Sequence, residues 1–578
     1  MAPACPARPA RLPGDLPPAL LAALLVALLL GPALGPGYVL SYDMVWVPQL
    51  TMRGDFLGLG SALPRAVPSD AVVAALDLVV PGVLLQKLAL AGSLVAGAVG
   101  AARLAPDVLA ARLWAAALWA WNPFVVERLV IGHWPVLVGY AVAPWVLLAV
   151  RARRAGGSAP RLWPLLVLGS LSASAGVVTG VLALALGLRL RRGRWRDDAR
   201  LVLGVGAANL PWIVPGLLSA AAATGGAAST VPFAASGAAG LPAPVVLLGL
   251  GGVWNVDAAA PRGTSAVLVA LAVLAVLAAA GARSWWRTTG RREGLALAGC
   301  WVVGLGVALV GWAAPGVLAA VAALPGGGLL RDGARSLTLC APLLVAVTSS
   351  GVAVLVGTRR RAERVGWTMA AALAPVALLP GAAWGVGGRL EAVDYPPTWE
   401  SAREAVLASP VVGDVLVLPL SAYRAPSWND GRPVLDPLGR FLPRDHVTAD
   451  DLVVSGEVVP GEDPRVDEVA AALAAPGSQG RAGALAELGI GLVVTDPTAA
   501  GPAPEVAGEV VHASSDLEVV ALPGVLERSV PASRAVGVGV AWAAWWACLL
   551  AGPAGALASR RRRRRRRRPT TRAAPSSG

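Results

Sequence analysis

Asp43 is the acidic side chain best placed for chemistry. It stands in Gly37-Tyr38-Val39-Leu40-Ser41-Tyr42-Asp43-Met44-Val45-Trp46-Val47-Pro48-Gln49, directly after the apolar run from Pro18 to Pro36. A carboxylate that emerges from a membrane span sits beside the lipid headgroups, well placed to act on a lipid-linked substrate. A second polar group lies in Trp121-Asn122-Pro123-Phe124-Val125-Val126-Glu127-Arg128-Leu129-Val130-Ile131-Gly132-His133-Trp134, which sets Asn122, Glu127, Arg128 and His133 between two apolar stretches. A third is Gly326-Gly327-Gly328-Leu329-Leu330-Arg331-Asp332-Gly333, with Arg335 after it. Polar residues at membrane depth are costly and mark a functional cavity unless they are solvated or paired. Each also has a plainer reading. Asp43 would then be a solvated loop acid, Glu127–Arg128 a local pair, His133 an interfacial anchor and Arg331–Asp332 a loop ion pair. Trp46, Trp121 and Trp134 fit an aromatic belt.

The elements that must position these residues are membrane helices. The chain is 56% hydrophobic and 15% charged, with mean hydropathy +0.64, which excludes an ordinary soluble protein. Apolar runs of about twenty residues recur, and in lipid each satisfies its backbone only as a helix. The net charge of +14 gathers in short loops between spans and in a tail. That pattern orients spans and is poor evidence for nucleic-acid binding. Read against the Arg clusters, spans fall near 18–36, 78–102, 108–124, 134–150, 200–219, 264–282, 294–313, 336–356, 366–385 and 535–556. The segment 162–188 is flanked by Arg at both ends and is divided at Ser172-Ala173-Ser174-Ala175-Gly176 into a hairpin. The expectation is about twelve spans in a plasma-membrane protein, with both termini cytoplasmic. The first run also fits a cleaved signal peptide, but it is long for one and more spans follow. Lys87 is the only lysine, and with the abundant Ala, Gly, Val and Pro this points to a GC-rich, actinobacterial type of genome.

The expected organisation is mainly α. A multi-span membrane domain occupies 1–385, a small extracytoplasmic α/β domain 386–530, a last span 531–558 and an Arg-rich cytoplasmic tail 559–578. Within 386–530, Val415–Leu418, Leu492–Val494 and Leu517–Val520 read as short strands, and Ala470–Ala475 and Ala482–Leu488 as helical. Asp436, Arg440, Asp445 and His446 form a polar run there whose default reading is a solvated loop. The nine arginines Arg560–Arg568 read as a positive-inside anchor, compatible with attraction to anionic lipid. The four cysteines, Cys5, Cys300, Cys340 and Cys548, avoid the hydrophilic segment and have no zinc-site spacing.

A span followed at once by an outer loop with an acidic residue resembles the GT-C superfamily of integral-membrane glycosyltransferases. Tyr42-Asp43, the turn from Asn122-Pro123-Phe124 to Gly132-His133-Trp134, and Leu330-Arg331-Asp332 carry the resemblance, which covers roughly 1–385. It implies transfer of a sugar from a polyprenyl-phosphate carrier to a cell-envelope glycan or other acceptor at the outer face. Asp43 would be the general base and the displacement inverting. Arg331, Arg128 and His133 would stabilise the leaving phosphate, with Glu127 and Asn122 among the substrate contacts. No cofactor is expected. Many members pair two acids in the first loop, whereas Met44 follows Asp43 here, so a metal-binding diacid is not supported. The expected partners are membrane lipid, the lipid-linked sugar and the glycan acceptor, with no nucleic acid. The rival is a non-catalytic polysaccharide or lipid transporter, or an envelope-assembly scaffold. A transporter predicts ionisable residues in mid-span and an inverted repeat. The acids concentrate in outer loops instead, and no clear repeat is visible.

Overall fold

The computed structural model describes residues 14–60, 63–156, 159–190, 193–219, 232–324, 326–454 and 457–566. Cys5, Arg8, Arg11 and the end of the tail lie outside these residues.

The helical part begins with α1 (Leu16–Leu30) and continues through α2 (Gly82–Leu104), α3 (Leu109–Ala120), α4 (Pro123–Val130) and α5 (Trp134–Arg154). Then come α6 (Leu162–Leu168), α7 (Ala173–Gly187), α8 (Trp195–Ser219), α9 (Thr264–Thr289), α10 (Arg291–Ala313), α11 (Ala341–Gly357) and α12 (Arg364–Leu378). Small residues let helices approach closely where apolar burial gives little drive in lipid. Helix α9 lies along α11 in this way: a Cβ on Gly351 would stand 2.0 Å from the Leu277 carbonyl oxygen.

The expected count of about twelve spans is not confirmed. Among the described residues seven helices are long and apolar enough to cross, or nine if each of two bent pairs counts as one span. Helix α3 has 12 residues and rises only about 18 Å, short of a hydrocarbon core of about 30 Å. Asn122 and Pro123 end it: the Asn122 side chain caps the next helix and Pro123 opens it. The segment 162–188 breaks where Gly169 ends α6 and Ser172 caps α7, giving helices of 7 and 15 residues. The apolar runs are real, but several fold as short pieces inside the bundle.

Beyond the bundle, a five-stranded mixed sheet has the order β10-β11-β9-β3-β6. The described residues also form three small two-stranded ladders. The strands are β1 (Tyr38–Val39), β2 (Ala392–Val393), β3 (Asp414–Leu418), β4 (Tyr423–Arg424), β5 (Val434–Leu435), β6 (His446–Val447), β7 (Leu452–Val454), β8 (Glu457–Val459), β9 (Ile490–Thr495), β10 (Glu509–Ala513) and β11 (Glu518–Ala521). Parallel β3–β9 pairing and antiparallel β9–β11 pairing place the expected strands side by side. Side chains alternate between faces. Leu416, Leu418, Ile490 and Val493 pack with Val469 and Leu485 of the helices Pro464–Leu473 and Gly477–Glu487. Val415, Val417, Leu492 and Val494 join the core that runs into the bundle. The strands are therefore buried on both faces, which is why they read as unbroken apolar runs.

The loop after α1 is stitched to this sheet part. Strand β1 pairs with β2, the Tyr42 N–H donates to the Pro433 carbonyl, and the Leu435 N–H donates to the Tyr42 carbonyl. Arg53 Nη1 donates to the carbonyls of Gly439, Leu442 and Arg444 at 2.6, 3.0 and 2.7 Å. The polar run 436–446 is not a solvated loop. Asp436 is bound by Arg424 at 2.7 Å, and Arg440 pairs with Asp70 of loop one at 2.8 Å. These side chains close the junction between loop one and the sheet. The last helix, Ala532–Arg566, carries the chain back along the bundle.

Candidate active site

Asp43 sits at the tip of a tight turn. Ser41 and Met44 close it through paired backbone hydrogen bonds of 3.3 and 2.8 Å. Tyr42 takes a left-handed φ of +45°, an uncommon conformation for a residue with a Cβ and one that clusters at functional sites. The turn rests on the 121–134 segment: the Asp43 N–H donates to the Ile131 carbonyl at 3.1 Å, and Ser41 Oγ donates to the Val130 carbonyl at 2.5 Å. Gly132 makes the contact possible. Its φ is +86°, and a Cβ there would meet Met44 N at 2.2 Å and Ser41 O at 2.5 Å. Gly132→Ala is expected to cost about 2 kcal/mol or more and to displace Asp43. A lowered thermal midpoint of the detergent-solubilised protein checks this, and an unchanged midpoint would show that the turn relaxes freely.

Both carboxylate oxygens of Asp43 are occupied. His133 Nε2 lies 3.1 Å from Oδ2. Tyr423 Oη, from strand β4, donates to Oδ1. Behind His133, Arg128 Nη1 approaches Nδ1 at 2.9 Å. A guanidinium can only donate, so Nδ1 must accept and the imidazole proton sits on Nε2, directed at Asp43. Arg335 Nη2, 3.1 Å from Nε2, then faces an N–H and cannot bond to it. Arg335 is fixed by Nε to Asp332 at 2.8 Å and by Nη1 to Ser174 at 3.1 Å, which leaves Nη2 free for an anion. Arg128 and Asp332 form a buried pair at 2.7 Å, exposed by 1% and 3%.

These placements set the charges. Burial and the positive charges of Arg335 and Arg128 push His133 down to about 4, against the pull of Asp43. Burial pushes Asp43 up, but the His133 and Tyr423 hydrogen bonds and nearby positive charge overcome it and hold the carboxyl at about 2. His133 is neutral near pH 7, so its contribution there is an N–H dipole, with the arginines supplying the charge. The Asp43 side chain, although deeply set, remains 40% exposed on one side. Asp332 is held below the ordinary carboxylate range: burial opposes this, and Arg128 and Arg335 outweigh it.

His133 gives a pH prediction with a definite sign. Its folded value near 4 lies below its ordinary 6.5. The unfolded chain therefore takes the proton first as pH falls, and stability contributed above pH 6.5 is lost between 6.5 and 4. His133→Gln, which can still donate to Asp43, is expected to flatten that part of the curve. Thermal midpoints against pH for both proteins provide the check, and parallel curves would refute the assignment.

The other expected site residues fall in two groups. Asn122 is 3% exposed, accepts from the Val125 N–H, and donates to Leu118 O, Trp119 O and Tyr140 Oη. Glu127 is 2% exposed and accepts from the Gly252 and Val253 N–H groups at 3.3 and 3.1 Å. Burial lifts its carboxyl to about 7 against the pull of Arg128. Arg331 points away from its neighbour Asp332. It lies over the Phe233 ring at 4.6 Å and pairs with Glu462 at 3.1 Å. Arg65 pairs with the same glutamate at 2.8 Å. The three tryptophans expected in a belt are instead internal: Trp46 and Trp134 pack ring to ring at 5.0 Å, and Trp121 donates to the Leu379 carbonyl at 3.0 Å. Tyr423 and Glu462 were not singled out from the sequence as site residues. Tyr423 lies 380 positions from Asp43, and no local signal joins them. Among the described residues no three His, Cys, Asp or Glu side chains converge as metal ligands.

The chain is a polytopic helical bundle joined to a small α/β part, and the loop that carries Asp43 lies where the two meet. Among solved structures, arabinofuranosyltransferase AftD from Mycobacteria is similar over 91% of this chain and 40% of that one, with a TM-score of 0.53 and 18% identity. A mutant of the same enzyme matches over 90% of this chain and 42% of that one, with a TM-score of 0.51 and 21% identity. The chain thus spans about two-fifths of the length of those structures. The likeness is one of fold, and it agrees with the resemblance read from the motifs. No protein-family model and no curated protein matches the sequence.

Proposed function

We propose that this protein transfers a glycosyl group from a polyprenyl-phosphate sugar to a hydroxyl of an envelope glycan or related acceptor, with Asp43 as general base. The observation that carries this reading is the open side of Asp43. Its carboxylate is aimed by His133 and Tyr423 but remains 40% exposed, at the junction where bundle and outer sheet meet. The acceptor oxygen attacks the anomeric carbon, its proton passes to Asp43, and the bond to phosphate breaks with its electron pair. One displacement inverts the anomeric centre. The departing phosphate gathers negative charge, which preorganised guanidiniums stabilise. Arg65, Arg331 and Arg335 are 45%, 22% and 31% exposed, so they can reach it. Arg128, Glu127 and Asn122 are engaged internally, and in this reading they position the turn rather than touch substrate.

The similarity to an arabinofuranosyltransferase favours a pentosyl donor as the first to try. The test is transfer of labelled sugar from a polyprenyl-phosphate donor panel by the purified full chain, with the product anomer assigned by NMR. An inverted product is expected. A retained anomer would remove the single displacement. No turnover with any donor would favour the scaffold or transporter.

A further inference from the structure

We propose that Glu462 is a built-in competitor for the anion site made by Arg65 and Arg331, and that it must release them before a lipid phosphate can bind. This rests on the glycosyl-transfer reading and adds a control step to it. One carboxylate bridges two guanidiniums: Glu462 Oε2 accepts from Arg65 Nη2 at 2.8 Å, and Oε1 accepts from Arg331 Nη1 at 3.1 Å. Those arginines come from separate loops of the bundle part, whereas Glu462 comes from the outer part. Two forked cations sharing one two-oxygen anion is the arrangement that also suits a phosphate. Arg331 is aimed by its seat on Phe233. Asp450 steadies the competitor by accepting from the Glu462 and Asp463 N–H groups at 2.7 and 3.2 Å, and it stands 3.4 Å from Arg65.

Charge decides which anion stays. Arg65, Arg331, Asp450 and Glu462 sum to zero. A phosphate added without displacement would place a third anion beside two cations, and like charges at contact repel. With Glu462 withdrawn, Asp450 is the carboxylate still in contact with Arg65, and Arg335 adds positive charge near Arg331. After transfer the same carboxylate can reclaim them and help expel the product phosphate. The plainer account is that Glu462 only fastens the outer part to the bundle. The two accounts predict opposite changes in anion binding.

The experiment measures binding of farnesyl phosphate, with farnesol as the uncharged control, to the full chain in nanodiscs of zwitterionic lipid. Glu462→Gln is expected to bind farnesyl phosphate about fivefold more tightly, equivalent to about 1 kcal/mol, with farnesol unchanged. Adding Arg65→Gln should remove the gain. If the Gln variant fails to fold, Glu462→Asp, with its shorter reach, should shift binding in the same direction. Equal or weaker binding together with a lowered thermal midpoint would overturn the proposal and leave a fastening role. Transfer is scored separately. Tighter binding without transfer by either protein would keep this inference and remove the glycosyl-transfer reading. Transfer with unchanged binding would do the reverse.

Discussion

Replacing Asp43 with Asn is expected to lower kcat for glycosyl transfer by about a hundred- to ten-thousand-fold, the range that a positioned general base contributes. The amide keeps the size of the side chain and can still accept from His133 or Tyr423, so the fold should persist. The amide cannot take a proton. Donor affinity should change little if, as proposed, phosphate is held by arginines that are anchored to other carboxylates. A carboxyl held at about 2 is a weak base in the resting protein. Two effects bring it into play. An acceptor that covers its exposed side removes water and disfavours the charged form, moving the carboxyl upward. The acceptor hydroxyl also becomes acidic as its oxygen bonds to the anomeric carbon, so a weak base can take the proton late in the displacement. The measurement is kcat with a saturating polyprenyl-phosphate sugar, alongside farnesyl phosphate binding and the thermal midpoint. Transfer at the wild-type rate by a folded variant would withdraw Asp43 as the base and move attention to the remaining polar groups of the cavity.

The parts of this site that could be read from the sequence are those where chemistry and membrane depth conflict. Asp43, Arg128 and His133 stand out because charge and imidazole are costly beside apolar helices, and the structure places the three in one chain of contacts. Arg331 was visible for the same reason, but its direction was not: only the folded chain shows it turned toward Glu462 rather than His133. Tyr423 and Glu462 were illegible, because a tyrosine or glutamate in a hydrophilic segment carries no sign of a partner hundreds of positions away. The strands β3, β9 and β11 were legible as short β-branched runs. Their burial on both faces erased the alternation that would have told which face meets the bundle. The count of about twelve goes unconfirmed where apolar length was taken as crossing. Helix α3 and the segment 162–188 bury much of their apolar surface within protein, a setting that hydropathy alone does not separate from lipid.

The largest stability effect is expected at Arg128. Its guanidinium is 1% exposed, and Asp332 opposite it is 3% exposed, with donors at 2.7 and 3.4 Å from the two carboxylate oxygens. Leaving a buried charge wholly unpaired typically costs about 3–5 kcal/mol; Arg335 still holds Asp332 at 2.8 Å, so the loss of Arg128 is expected at the lower end of that range. Arg128→Met, which keeps much of the apolar stem, should therefore destabilise the protein strongly. It should also disturb chemistry through His133. Without a donor at Nδ1 the imidazole is free to adopt the other tautomer, with its proton turned from Asp43. The double replacement Arg128→Met with Asp332→Leu removes both charges at once. It is expected to recover a good part of the stability while activity stays low, because Arg335 loses its Asp332 anchor at 2.8 Å and His133 still lacks its orienting donor. Thermal midpoints and transfer rates for the two variants separate these effects. A single variant as stable as wild type would show that the pair is not the structural support it is taken to be. Recovered activity in the double variant would show that His133 keeps its tautomer without Arg128.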